Sequence, residues 1–285
     1  MNIELARTFL EVVAAGSLAG AAERLHVTHS TVTMRIKSLE DILRRKVLNR
    51  NRSGVTMTAA GAQFHPYAET LVRTWQMTRR QLSLASGYES ILSVGADTSL
   101  WDDLMFDWAC QTREERPEIA LRCESGTSDQ LIERLFHGWL DFCVVYEVKS
   151  RGGFVSEPLF NDQIIYLTSE QREVKGHWDP EYVEVEWDEG IRDQIVRHWG
   201  DVDETPGVWV DNKALGIRFM ERFGGSILVP KRCYDKGNLP IQLYELEGQP
   251  LLDRQVYIMY PEEYRRNPSK KLGIDTVKEG ILGLL

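Results

Sequence analysis

Leu5, Phe9, Val12 and Val13 recur at helical spacing and Gly16 closes the run, so the chain opens on an amphipathic helix with a glycine stop. Ser17 is placed to cap a second, short helix from Leu18 to Leu25, whose Ala19, Gly20, Ala21 and Ala22 allow a close helix crossing. After a turn at His26 and Val27, Thr28 is placed to cap a third helix. Val32, Ile36, Leu39 and Leu43 line one face of it, and Ser30, Thr33, Met34, Lys37 and Asp41 lie on the rest. Two short helices, a tight turn and a third amphipathic helix constitute a helix-turn-helix. Two β-prone runs follow, Val47 to Arg50 and Val55 to Thr58, around a turn of Asn, Ser and Gly, which predicts a hairpin with Arg50 and Arg52 near its tip.

Thr58 is placed to cap a long helix reaching to Gly87. Along it Ala68, Leu71, Trp75, Thr78, Leu82 and Ala85 follow alternating steps of three and four, a heptad-like seam. A helix this long exceeds what a 60-residue head needs, so the seam is expected to pair with a second copy, through Ala68, Leu71, Trp75, Thr78 and Leu82. The other reading is a helix packed on its own domain. From Ser90 onward the pattern changes to short apolar strands alternating with helices. Strands are expected at Ile91–Ala96, Ile119–Ser125 and Leu140–Tyr146, with helices at Leu100–Cys110 and Ser128–Phe136 between them. A β-α-β-α-β order implies a parallel sheet with helices on its faces. A second such region has strands at Ile164–Thr168, Tyr182–Glu186, Val208–Val210 and Ile227–Val229. Arg254–Tyr260 is a further strand, and a helix over Ser269–Leu285 closes the chain.

Charge sharpens this division. The 285 residues carry a net −9, which taken alone argues against nucleic acid. Residues 1–87, however, hold 12 Lys/Arg against 6 Asp/Glu, while residues 88–285 hold 22 against 37. A basic head on an acidic body is what is expected when one end meets phosphate. Between Arg24 and Arg52 eight basic residues face only Glu40 and Asp41. Thr28, His29, Ser30, Thr33, Met34, Arg35 and Lys37 on the third helix, with Arg50 and Arg52 on the hairpin, are therefore the candidate DNA contacts: a helix fills the major groove and arginines suit the minor groove. Cys110, Cys123, Cys143 and Cys233 are scattered in apolar runs and are expected to pack in the core, with no metal cluster or cofactor implied. No signal-like or membrane-spanning stretch is present, so a cytoplasmic protein without a membrane partner is expected.

The stretches Phe9–Val13 and Gly16–Leu25, then Thr28 through Leu39 and Glu40, Leu48-Asn49-Arg50 and Thr58-Ala59-Ala60-Gly61 together resemble the LysR-type transcriptional regulators. The run His65 to Leu71 with Thr74-Trp75-Gln76 looks closer still to the HdfR-like subgroup. Against the usual family pattern, His29 stands for Gln, Ser30 often for Pro and Met34 often for Arg, so a different operator preference is expected. In the body, Gly126-Thr127-Ser128, Leu131, Leu135, Gly138 and Leu140-Asp141, then Gly224 to Pro230, resemble the family more weakly.

The resemblance implies an α plus α/β architecture. A winged helix-turn-helix (1–58) and a linker helix (59–87) precede a two-lobed Rossmann-like, periplasmic-binding-protein-like body (88–285). Its first lobe covers 88–161 and 262–285, its second 162–261, with crossing strands near 160–166 and 254–261. It implies a homodimer, or a homotetramer, on an interrupted palindromic operator, acting as repressor or activator, with RNA polymerase as partner in the second case. A small effector would sit between the lobes, where helix starts leave N–H groups free: Asp97, Thr98, Ser99, Trp101, Thr127, Ser128 and Asn212. These residues equally fit ordinary helix caps. Asp97, Asp102 and Asp103 would repel a carboxylate, which favours a neutral or cationic ligand on Trp101 if Asp97 faces the cleft. If Asp97 points away, anion binding is restored, and an effector-free body controlled by abundance is the third possibility. No GxGxxG after a strand, P-loop, GxSxG or HExxH occurs, which leaves no enzyme signature. A cytoplasmic small-molecule-binding protein without regulatory role is the alternative, opposed by the basic head.

Overall fold

The computed structural model describes residues 2–51, 54–150, 152–171, 179–200, 206–237, 239–246 and 248–285. The head begins with α1 (Ile3–Ala15), α2 (Leu18–Arg24) and α3 (His29–Leu43). The expected punctuation is present. Gly16 takes a left-handed φ of 63° at the end of α1, Ser17 accepts from the Gly20 N–H, and Thr28 accepts from the Thr31 N–H. Phe9, Val12, Val32, Ile36 and Leu39 are fully buried together, so the apolar stripes of α1 and α3 meet in one core.

A hairpin of β1 (Leu48–Asn51) and β2 (Gly54–Met57) forms the wing. Its base is fixed by close backbone approaches. The Val55 N–H donates to Gly16 O at 2.8 Å, and a Cβ on Gly54, whose φ is +128°, would lie 2.7 Å from that same oxygen. Glu40 accepts from the N–H groups of Val47 and Leu48. One of the two carboxylates opposing the basic stretch is thus engaged in joining α3 to the wing. Arg52 lies outside the described residues.

The linker helix α4 (Ala59–Leu82) starts at the Thr58 cap and ends five residues short of Gly87. Its two long faces differ. Ala68 and Val72 are buried in the head core, and Arg73, Gln76 and Arg80 are buried farther along. Arg73 bonds Glu263 at 2.8 Å, and Arg80 donates to Gly138 O at 2.8 Å and to Trp139 O, with Asp141 at 3.8 Å. The head is thereby fastened to the body of its own chain. Tyr67, Leu71, Trp75, Thr78 and Leu82 are exposed on the other face. Ala68 is corrected from the expected seam: it is fully buried inside its own head, and a spacing of three and four fits either face of one helix.

The body is built on β3 (Ser90–Asp97), α5 (Thr98–Leu100), a π-helical turn at Trp101–Met105, α6 (Phe106–Glu115), β4 (Ile119–Gly126), α7 (Ser128–Phe136) and β5 (Phe142–Val145). The chain continues as β6 (Phe154–Thr168), β7 (Tyr182–Val185), α8 (Glu189–Trp199), β8 (Val208–Val210), α9 (Lys213–Phe223), β9 (Ser226–Pro230) and α10 (Lys231–Asp235). It ends with β10 (Tyr244–Glu245), β11 (Leu252–Pro261), α11 (Glu262–Arg266) and α12 (Pro268–Leu282). Among the described residues one nine-stranded sheet runs β4-β3-β5-β11-β6-β9-β7-β8, with β10 on β6. β6 and β11 pair antiparallel from Leu252/Ile164 to Pro261/Phe154, with a register shift at Val256/Tyr257. The C-terminal half of β11 pairs β5, and the C-terminal half of β6 pairs β9. These two long strands therefore carry one lobe into the other.

Lobe I gathers Val94, Leu104, Phe142, Val256 and Ile274 in its core, and lobe II gathers Ile164, Val183, Ile191, Met220 and Ile227. The expected lobe II span of 162–261 is thus too long, because Val256, Ile258 and Tyr260 of β11 pack in lobe I. The first half of β6 was not expected, because Phe154 to Asn161 mixes polar and apolar residues around Pro158. The cysteines divide: Cys143 and Cys233 are buried, whereas Cys110 and Cys123 are exposed. Core packing holds for the first pair only.

Candidate nucleic-acid interface and inter-lobe cleft

The outward face of α3 collects most of the expected DNA contacts. Thr28, His29, Ser30, Met34 and Lys37 are exposed, Thr33 is half-buried, and Met34 keeps 63% of its surface in solvent. Thr28 has a structural duty as well, since its hydroxyl oxygen accepts from the Thr31 N–H and lies within 3 Å of the Ser30 and Thr31 hydroxyls. Arg35 departs from expectation. Its Nη1 lies 3.3 Å from Glu4 and 3.3 Å from the Thr8 hydroxyl, and its side chain is 23% exposed. Arg35 packs α3 against α1 and is corrected from contact residue to scaffold. Arg24, Arg44, Arg45, Lys46 and Arg50 are exposed around this face, which makes the surface of α3 and the wing strongly cationic.

The region between the lobes is crossed by charge pairs that the sequence did not reveal. The π-helical turn of lobe I presents Asp102 and Asp103 side by side. Lys213, at the start of α9 in lobe II, is 4% exposed and reaches Ser99 O at 3.1 Å, Asp102 at 3.3 Å and Asp103 at 3.8 Å. Arg232, on α10 of lobe II, pairs with Asp162 of β6 and reaches Asp103 at 3.4 Å and Ser99 O at 3.1 Å. The Cys233 thiol donates to Asp103 at 2.8 Å. Lys236 reaches Asp107 at 3.1 Å. We call this set the clasp. Burial alone would raise the Asp103 carboxyl, but Arg232 and Lys213, with bonds from Cys233 and the Leu104 N–H, hold it below its ordinary value. Burial pushes the Cys233 thiol up to about 12, against the pull of Lys213 and Arg232.

On the adjoining side of the cleft, Arg254 of β11 bonds Asp188 and lies 3.3 Å over the Tyr146 ring. The Tyr146 hydroxyl donates to Asp162 at 2.9 Å. Asp162 and Arg254 are direct partners in the β6/β11 register, yet each turns to a third residue.

The expected effector residues divide between caps and cleft. Asp97 caps α5, accepting from the Ser99 N–H at 3.2 Å, and lies within electrostatic reach of Arg254 and Asp188. Burial raises its carboxyl above the ordinary value, partly offset by Arg254 and Ser99, while Asp188 adds to the rise. Ser99 Oγ is 3.1 Å from both Asp97 and the Tyr146 hydroxyl. Thr98 is exposed beside them. Trp101 packs on the lobe I core and donates its indole N–H to Glu124 O at 2.9 Å. Thr127 and Asn212 cap α7 and α9, and the Ser128 hydroxyl accepts from the Glu147 N–H. Lys213, Arg232, Asp162, Asp188, Arg254 and Tyr146 were missed. The available signal was a faint one: Asp162 and Arg254 stand in the polar triplets Asn161-Asp162-Gln163 and Asp253-Arg254-Gln255, inside the two crossing strands. Among the described residues no single helix is long and apolar enough to cross a membrane.

Residues 3–62 match the family described as bacterial regulatory helix-turn-helix protein, lysR family, and residues 85–281 match the LysR substrate binding domain. The chain is 29% identical to the HTH-type transcriptional regulator HdfR of Escherichia coli O139:H28 over 271 residues, covering 94% of each. In fold it is similar to a full-length OxyR variant from Pseudomonas aeruginosa (TM-score 0.57, 22% identity, 99% of this chain and 94% of that one). It is similar also to CbnR complexed with its target DNA (TM-score 0.52, 18% identity, 99% and 100%). The matched family and HdfR are described as transcriptional regulators rather than enzymes. A basic winged helix-turn-helix, a linker helix and a two-lobed α/β body matched along nearly their whole length make this chain a member of the LysR family of transcriptional regulators, within its HdfR-like subgroup.

Proposed function

We propose that two copies of this chain pair through the exposed face of α4 and present two heads to an interrupted palindromic operator. On each head α3 lies in the major groove, with His29, Ser30 and Met34 toward the bases, Thr33 beside them with its hydroxyl oxygen buried in the head, and Lys37 on a flanking phosphate. Thr28 stands at the start of the helix, and Arg50 of the wing lies over the adjacent minor groove. Arg52 is assigned to the same wing contact from its sequence position. The observation that carries this is the two-sidedness of α4. Its Arg73, Gln76 and Arg80 are buried against the chain's own body, while Leu71, Trp75 and Leu82 remain in solvent at 40%, 47% and 83% exposure. A helix already fastened on one side offers its apolar outer face to a second subunit. Tetramers assemble from such dimers, RNA polymerase is the further partner where the outcome is activation, and a duplex partner places the protein in the cytoplasm.

A small effector between the lobes adjusts the spacing of the heads. Asp97, Thr98, Ser99, Thr127, Ser128 and Asn212 surround the helix starts there, and Trp101 contributes its ring from the lobe I side. Asp102 and Asp103 are paired with Lys213 and Arg232, and the Asp97 carboxyl, only partly offset by Arg254 and Ser99, is the acidic group that favours a neutral or cationic ligand over a carboxylate. The clasp supports a second reading, in which the lobes close on their own ion pairs and no effector is needed. Sedimentation of the full chain with a selected operator tests the first proposal: two protomers per operator, or four on two half-site pairs, are expected, and one protomer per duplex would overturn it. Thermal shift with metabolite pools separates the two readings of the cleft, since only the effector reading predicts stabilisation.

A further inference from the structure

The recognition face of α3 has an unusual centre, and it narrows what the head reads. This inference rests on the DNA-binding reading above and goes past it to base chemistry. Val32, Ile36 and Leu39 bury one face of α3 completely, so the opposite stripe is fixed: Ser30, Met34 and Lys37 follow at steps of four and three, flanked by His29 and Thr33. Guanine is read best by a bidentate Arg or Lys, and adenine by a bidentate Asn or Gln. No Asn, Gln or Arg stands on this stripe. The only arginine of α3, Arg35, is held on α1 by Glu4 and Thr8. Lys37 lies toward the C-terminal end of the stripe. At its centre stands a thioether with 63% of its surface exposed.

We propose that Met34 is a specificity-determining residue that reads the C5-methyl group of thymine, so that each half-site carries a T·A pair beneath the middle of α3. Met34 has no hydrogen to donate, and against the O6 and N7 acceptors of guanine it would strip water without replacing the bonds. Among the groups that base edges present in the major groove, the thymine methyl is the apolar one, and burial of both surfaces is favourable. A flexible, polarizable side chain adapts to the position of the methyl without a strained rotamer. The exposure of Met34 in the free protein is then the open half of a contact that DNA completes.

The test removes the methyl and nothing else. An operator is selected from a random duplex library with the full-length protein, and each thymine is replaced in turn by deoxyuridine, which keeps every hydrogen-bonding group. One position per half-site is expected to respond, with about fourfold weaker binding for one methyl and about fifteenfold for both. The Met34→Ala protein should bind the parent operator more weakly and be indifferent to uracil at that position, whereas Met34→Leu keeps the sensitivity. Met34 packs in no core, so neither substitution threatens folding. Sequence-preferring binding without a uracil-sensitive position, or with one that Met34→Ala leaves unchanged, overturns this inference alone. Binding with no sequence preference at all overturns the DNA-reading assignment and this inference with it.

Discussion

Arg232 and Asp162 form a buried ion pair between lobe II and the crossing strand β6, at 8% and 3% exposure, and Asp103 of lobe I shares the same guanidinium. One cation therefore ties together both lobes and the strand that joins them. Removing it strands two carboxylates in a poorly solvated place. Arg232→Met is expected to destabilise the full chain by about 3–5 kcal/mol in urea unfolding, because a broken buried pair costs more than an absent one. Arg232→Met combined with Asp162→Asn should recover part of that loss. Equal stability of wild type and Arg232→Met would show that the pair contributes nothing.

The α4 faces give a paired prediction. Trp75→Ala should weaken self-association by about 2 kcal/mol, roughly thirtyfold in the dimer constant, without changing the unfolding of head or body. Ala68→Leu acts through the opposite face, overpacking the head by about 1–3 kcal/mol. Analytical ultracentrifugation alongside circular dichroism separates them. An unchanged dimer in Trp75→Ala would remove the exposed face from the interface.

The aspartates near the cleft have opposite signs of pH response. The Asp97 carboxyl is raised in the folded state, so its ionisation penalises folding above that raised value, and the penalty disappears below the ordinary one. Asp97→Asn should therefore raise the melting temperature at neutral pH, with a gain that shrinks as the pH falls. The Asp103 carboxyl is held below its ordinary value, so its contribution is present above that ordinary value and disappears as the pH falls through the folded one. Asp103→Asn should lower the melting temperature at neutral pH, and less so in acid. Thermal scans of both variants across the acidic range check the two signs, and a common sign would contradict the assignment.

Local chemistry made the head legible in the sequence. Gly16, Ser17, Thr28 and Thr58 are stops and caps whose effect does not depend on distant residues, and each acts as expected. The clasp was illegible for the converse reason. Lys213 and Arg232 meet Asp102 and Asp103 from far along the chain, and a lone Lys or Arg in sequence reads as a solvated side chain. The π-helical turn at Trp101–Met105, which sets those two aspartates facing lobe II, has no signature distinct from an ordinary helix. Arg35 shows the limit of counting charge: its position suits DNA, but Glu4 on another helix claims it.

The basic head is expected to bind duplex DNA through phosphate contacts and to read sequence with α3. Titrating the full-length protein against its selected operator and a scrambled duplex, between about 50 and 200 mM salt, measures both parts at once. Log affinity should fall linearly with log salt for both duplexes, with the operator bound more tightly throughout. Lys37→Ala should make that slope shallower by about 0.9 per head, the value for one phosphate that the ammonium neutralises. Affinity that ignores salt, or that is equal for operator and scrambled duplex, would contradict the account.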